Sequence, residues 1–125
     1  MTDTFDIPIQ VETFYIEQQS DAAANRFVFA YTITIQNQSE QSVKLLRRYW
    51  SITDANGKHS EVYGDGVIGE QPELAAGSSY SYTSGAVLET PVGTMQGHYE
   101  MRSQSGTDFN APIPLFRLAV PRILN

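Results

Sequence analysis

Gly64-Asp65-Gly66-Val67-Ile68-Gly69 spells G-x-G-x-x-G, the pattern with which dinucleotide-binding folds turn from a strand into a helix. That use of the pattern needs a helix opening at the third glycine, so that its unpaired N–H groups and its dipole face a pyrophosphate. Here Gly69 is followed by Glu70-Gln71-Pro72 and then by Glu73-Leu74-Ala75-Ala76-Gly77. This stretch is too short and too broken by Pro72 and Gly77 to carry a crossover helix. The three glycines are therefore expected to bend one extended segment into the next, and a sheet without crossovers follows.

Outward from this loop, apolar and polar residues alternate repeatedly, and no window of helical length carries the i, i+3, i+4, i+7 stripe. Phe5, Ile7, Ile9 and Val11 share one face of a first strand, and Phe27, Phe29, Tyr31, Ile33 and Ile35 one face of a long second. Gln18 to Asn25 between them is polar and alanine-containing, a loop with about one helical turn. Asn37-Gln38-Ser39-Glu40 predicts a turn. Val43 to Asp54 predicts a third strand, ending in Asp54-Ala55-Asn56-Gly57. Asn-Gly tolerates positive φ at both positions and predicts a hairpin returning through His59 to Tyr63.

Beyond the glycine loop, Ser78 to Ser84 reads as a strand with Tyr80 and Tyr82 on one side. Thr90-Pro91-Val92-Gly93 has the residue choices of a type I turn. Met95 to Arg102 follows as a strand, Gly106 turns the chain, and Phe109 to Val120 returns. In this last segment the apolar phase slips, from Phe109, Ala111, Ile113 and Leu115 to Phe116, Leu118 and Val120, which predicts a bulge near Leu115 and Phe116. Pro112 and Pro114 cannot donate to a ladder, so the first half of the strand is expected at a sheet edge.

Seven or eight short strands without crossover helices predict an all-β, antiparallel β-sandwich of immunoglobulin-like or fibronectin type III-like kind. Trp50 on the third strand and Tyr99 on the penultimate one fit this expectation, with Met101 standing where immunoglobulin domains carry a core cysteine. One domain over residues 1–125 is expected from the length, and 41% hydrophobic residues with 14 aromatics suffice for a packed core. Burying Trp50, Tyr99 and Met101 supplies much of its stability. The chain has no cysteine, which removes disulfides, thiol catalysis and zinc sites of the Cys type. No apolar run approaches the ~20 residues of a membrane span, and the acidic start does not resemble a secretion signal. A cytoplasmic protein with no membrane partner is expected. The net charge of −6 opposes nucleic-acid binding. The densest basic cluster, Lys44, Arg47 and Arg48, is divided because neighbouring strand residues face opposite sides.

Arg48-Tyr49-Trp50-Ser51-Ile52-Thr53-Asp54, the stretch Glu61 to Pro72, Tyr82-Thr83-Ser84-Gly85, the stretch Thr90 to Met101, and Ile113 to Leu118 run in order over most of the chain. Together they closely resemble the ApaG family, also called DUF525. That resemblance implies an immunoglobulin-like β-sandwich and a bacterial cytosolic protein. Through related domains in eukaryotic F-box proteins and in a partner of DNA polymerase δ, it also implies a protein-binding module. Family associations further imply a link to cobalt and magnesium efflux and, through a neighbouring gene, to diadenosine-tetraphosphate metabolism.

The functional expectation is a protein-binding or adaptor module that meets its partner through edge strands and the acidic segment Glu61 to Glu73, with a homodimer through edge strands as a further possibility. Serines around Tyr80 and Tyr82 suit partner contact, although tyrosines that cover the core are an equal alternative. The runner-up is a small-ligand role for the glycine loop, either pyrophosphate or nucleotide binding or divalent-cation homeostasis. Its candidate anion-binding residues are Gly64, Asp65, Gly66, Gly69 and Arg48, and they require Arg47, Arg48 or Lys58 to fold over the carboxylates of the loop. Against a polyanion stand Glu61, Asp65, Glu70 and Glu73. These carboxylates with His59 could hold a hard cation, yet no D-x-D-x-D-G order is present, and no metal or cofactor is assigned. Ser84-Gly85 lacks the G-x-S-x-G elbow, and only His59 and His98 could act as a base, so an enzyme is not expected.

Overall fold

The computed structural model describes residues 5–121. Eight strands among them form two antiparallel sheets: β1 (Ile9–Tyr15), β2 (Phe27–Gln36), β3 (Val43–Asp54), β4 (His59–Asp65), β5 (Glu73–Leu74), β6 (Ser79–Leu88), β7 (Val92–Ser103) and β8 (Asp108–Ala119). The smaller sheet has the order β1-β2-β6 and the larger β4-β3-β7-β8, with β5 added to the end of β3. This is a fibronectin type III-like sandwich of seven long strands and one of two residues. The segment between β1 and β2 forms two short 3₁₀ turns, Glu17–Gln19 and Ala22–Ala24.

The alternating pattern packs as expected. Phe27, Phe29, Tyr31, Ile33 and Ile35 of β2 all point into the core, where they meet Leu45 and Trp50 of β3, Met95, Tyr99 and Met101 of β7, and Ile113 and Leu118 of β8. Each such side chain removed from water contributes about 1.5–3 kcal/mol before entropy is set against it. Trp50 is wedged edge-on between Tyr31 and Phe116, at centroid distances of 5.4 and 5.7 Å. At one lateral margin β1 and β8 approach each other, and Phe5, just ahead of β1, stacks on Phe109 at 4.3 Å. Asn37 is fully buried in its turn and spends all its polar atoms there: Nδ2 donates to the carbonyls of Gln41 and Leu74, and Oδ1 accepts from Ser39.

Two bulges shape the larger sheet. On β8, Met95 pairs with Phe116 and Gly97 with Ile113, so Pro114 and Leu115 together face Gln96. The slip in apolar phase is this bulge: Leu115 turns out to solvent while Phe116 and Leu118 point back to the core. All of β8 is an edge, not only its proline-bearing first half. On β3, Leu45 pairs with Met101 and Arg47 with Glu100, so Leu46 is the extra residue. That bulge positions the site described below.

Three local expectations change. Phe5 and Ile7 precede β1 rather than belonging to it, although Ile7 is buried as the pattern required. At Asp54-Ala55-Asn56-Gly57 only Gly57 has positive φ (+82°). Gly57 N–H donates to Asp54 O and Asp54 N–H to Lys58 O, which makes a three-residue hairpin loop with glycine at its bulge position. Asp54 Oδ1 accepts from the N–H groups of Asn56 and Lys58 and holds Asn56 out of the left-handed region. Val92 and Gly93 are already paired in β7, so the preceding reversal lies earlier, where Thr90 Oγ1 accepts from Ala55 N–H and donates to Val92 O.

Candidate functional site

β4 delivers the chain to the glycine loop at Asp65. Because Leu46 is bulged, its carbonyl is spare, and it accepts both the Gly66 N–H at 2.8 Å and Gln71 Nε2 at 2.9 Å. Val67 is fully buried and anchors the loop. Val67 and Glu70 then exchange N–H···O bonds of 2.8 and 2.9 Å across Ile68 and Gly69. Positive φ at both central residues, +49° and +74°, marks a two-residue turn of type I′. No helix follows. Gly66 is irreplaceable here, since a Cβ would lie 2.1 Å from Glu70 O on a backbone already at φ +60°. Ile68 is the anomaly: a β-branched residue in the left-handed region, 59% exposed at the tip of the turn.

Arg47 and Arg48 face opposite ways. Arg48 opposes Gly64 across the β3–β4 ladder on the inward side, two residues before Trp50. Its Nη1 donates to the carbonyls of Asp65 at 3.0 Å and Gly66 at 2.9 Å. A Cβ on Gly64 would stand 3.1–3.3 Å from the guanidinium, so the missing side chain is what lets Arg48 lie flat over β4. The loop thus turns carbonyl oxygens, not amide hydrogens, toward its arginine. Arg48 enters no ion pair among the described residues, whereas Arg47, Lys58 and Arg102 each hold a carboxylate.

Arg48 lies where two hollows meet, one of about 390 Å³ and one of about 280 Å³, both also lined by Tyr31, Trp50 and Ser84. Together they form a groove between the edge strands β4 and β6. Its origin is a mismatch in sheet width: the three-stranded sheet does not cover the inner side of β4. Val62 pairs with Trp50 and faces the same inner side, yet it is 41% exposed. Lys58 Nζ and Glu89 Oε1, 3.0 Å apart, span one end of the groove; both side chains are exposed, so solvent screens the pair and it adds little to stability. Ile68 and Gly69 form the other end.

The floor carries buried phenols. The hydroxyls of Tyr82 and Tyr99 hydrogen-bond to each other across the interior, in place of the bond from tyrosine to upstream backbone seen in immunoglobulin domains. Burial pushes both phenols far up from their usual range. Tyr31 is also raised by burial, partly offset by the nearby Ser84 hydroxyl and the Arg48 charge. Tyr82 is buried and Tyr80 packs on the core beside it, so covering the core is what these two tyrosines do.

The outer face of the larger sheet carries a second polar cluster. Glu100 accepts from Arg47 Nε at 2.7 Å and from Tyr63 at 2.6 Å, which holds its carboxyl below the usual range; the Tyr63 bond is the larger cause. His98 lies 3.5 Å from Glu100 and stacks on Tyr49 at 5.2 Å, and Tyr49 donates to Glu61 at 2.5 Å. His59 is bonded to Ser51 at 2.6 Å.

Gly64, Asp65, Gly66, Gly69 and Arg48 all meet at the groove. The four carboxylates grouped with the loop do not stay together: Glu61 belongs to the outer face, and Glu73 lies in β5 opposite Lys44. Among the described residues no three His, Asp or Glu side chains gather as a metal site. The residues that sequence reading missed are the groove walls, Tyr31, Ser84 and Val62, and the outer cluster of Arg47, Tyr49, Tyr63 and Glu100. Parity placed each on a face, but the strand order that joins them is not local.

A domain-family profile described as DUF525, ApaG domain, matches residues 17–103. Protein ApaG of Proteus mirabilis (strain HI4320) is 58% identical over 119 residues, 95% of each chain. The X-ray structure of a Northeast Structural Genomics Consortium target is 55% identical with a TM-score of 0.89, covering 94% of this chain and 89% of that one. The crystal structure of the putative ApaA protein from Bordetella pertussis is 42% identical with a TM-score of 0.92, covering 95% and 97%. No described helix is long and apolar enough to cross a membrane.

Proposed function

This chain belongs to the ApaG (DUF525) family, and we propose that it acts in the cytoplasm as a protein-binding module that takes an extended segment of its partner as a fourth strand beside β6. The observation that carries the reading is the state of the four edges. β8 is guarded by Pro112, Pro114 and a bulge; β4 carries Glu61 and Asp65; β1 carries Glu12 and lies against β8. β6 runs ten residues with no proline and no charge, and nothing pairs with its outer side among the described residues. Proteins normally blunt such an edge. A strand added there would lie over the uncovered inner side of β4 and bury Val62, completing the narrower sheet.

A pyrophosphate reading of the glycine loop has less to support it. The N–H groups of Gly66, Val67 and Glu70 are already spent on carbonyls, and the loop's own carbonyls occupy Arg48. A cation-homeostasis reading finds no gathered ligands among the described residues. We propose no catalytic role.

The test is affinity capture with crosslinking from bacterial lysate, using the wild-type chain and a variant with Thr83→Lys and Val87→Lys on the β6 edge. The partner should be lost from the variant and should slow amide exchange in β6 of the wild type. Equal capture by both would overturn the strand-addition reading. Pairing of β6 with β6 of a second copy would appear as a doubled mass that the lysines abolish.

A further inference from the structure

We infer that the segment received beside β6 carries an acidic side chain, Asp or Glu, that seats on Arg48, with apolar residues two positions to either side of it. This rests on the strand-addition reading above and names the chemistry of its partner. Nη1 of Arg48 is committed to the carbonyls of Asp65 and Gly66, and the plane of the guanidinium lies against Gly64. The side chain is therefore held before any partner arrives. The Nε–H and Nη2–H donors carry no hydrogen bond among the described residues, and they form the parallel fork that a carboxylate accepts with both oxygens. Trp50 and Tyr31 wall this point of the groove, and exclusion of water by an added strand would strengthen the pair.

The charge of the groove selects a single carboxylate over a phosphate group. Among the described residues Arg48 is the groove's unpaired cation, since Lys58 at the far end is held by Glu89; Asp65 lines the groove beside Arg48 and the chain carries −6 overall, so a second negative charge has no free cation to meet it. The flanking preference follows from strand geometry, because residues at i−2 and i+2 face the same side, about 7 Å away. On one side of Arg48 they reach Val62, on the other Ile68, both exposed apolar side chains of the groove.

A display library of random linear peptides selected on the wild-type protein tests this. Selected peptides should share an apolar-x-acidic-x-apolar pattern and move the Trp50 indole signal on binding. Replacing the acidic residue of a selected peptide by its amide, Glu→Gln or Asp→Asn, should weaken binding about tenfold or more on the unaltered protein. Arg48→Lys, which keeps the charge and loses the fork, should weaken the acidic peptide and leave the amide peptide nearly unchanged. Peptides that bind, lose affinity on Thr83→Lys with Val87→Lys, and ignore both the amide exchange and Arg48→Lys would overturn the carboxylate inference and leave strand addition standing. A library that yields no binder would overturn both.

Discussion

Tyr82 on β6 and Tyr99 on β7 hydrogen-bond hydroxyl to hydroxyl between the two sheets, with Tyr99 fully buried and Tyr82 nearly so. Neither phenol can ionise without dragging a charge into the core. Burial raises both pKa values above the unfolded value of about 10, so their contribution to stability is complete below that pH and is lost as pH rises beyond it. In an alkaline titration Tyr31, Tyr82 and Tyr99 should ionise only as the protein unfolds. Ionisation of all seven tyrosines while the fold persists would contradict the buried pair.

Glu100 gives the opposite sign at the acid end. Bonds from Tyr63 and Arg47 stabilise its carboxylate and hold its pKa below the usual range in the folded state. The stability it confers is present above the unfolded value of about 4.3 and disappears as pH falls through the lower folded value. The difference in melting temperature between wild type and Glu100→Gln should therefore be largest near neutrality and close in acid. A difference that persists unchanged into strong acid would mean that Glu100 acts by packing alone.

What could be read from residues alone divides along a physical line. Strand β2 and the bulge of β8 were legible because each is written in the parity of one segment. The convergence of Arg48 with the glycine loop was half legible: parity sent Arg48 inward, but its clamp depends on the spare carbonyl of Leu46 and on Gly64 lying across the ladder. The outer cluster was not legible. Glu100 meets Arg47 and Tyr63 only because β3 lies between β4 and β7, a consequence of sheet order rather than of sequence spacing.

Two glycines on the strands that flank β3, Gly97 of β7 and Gly64 of β4, should respond differently to alanine. A Cβ at Gly97 would fall 1.9 Å from Tyr49 O, a backbone atom that cannot yield without parting β3 from β7. Gly97→Ala should cost about 3 kcal/mol or more. At Gly64 the obstacle is the end of the Arg48 side chain, so Gly64→Ala should remain folded with a much smaller loss while displacing the guanidinium and weakening acidic peptides. Equal destabilisation by the two would show that the Arg48 clamp is part of the fold's stability rather than of a binding surface. Gly66→Val cannot make this distinction, because Glu70 O occupies the space for any side chain there.

Ile68 holds a left-handed conformation that costs a β-branched residue about 1–3 kcal/mol, and it recovers little by packing, being 59% exposed. Glycine or asparagine suits the first central position of a type I′ turn far better. Ile68→Gly and Ile68→Asn should therefore raise the melting temperature, by an amount equivalent to about 1 kcal/mol. The same substitutions remove the apolar wall at one end of the groove, so they should weaken the selected peptides as stability rises. That opposition distinguishes a strained binding residue from an accidental one. A gain in stability with undiminished peptide affinity would remove Ile68 from the surface, and a loss of stability would mean that the turn holds it without strain.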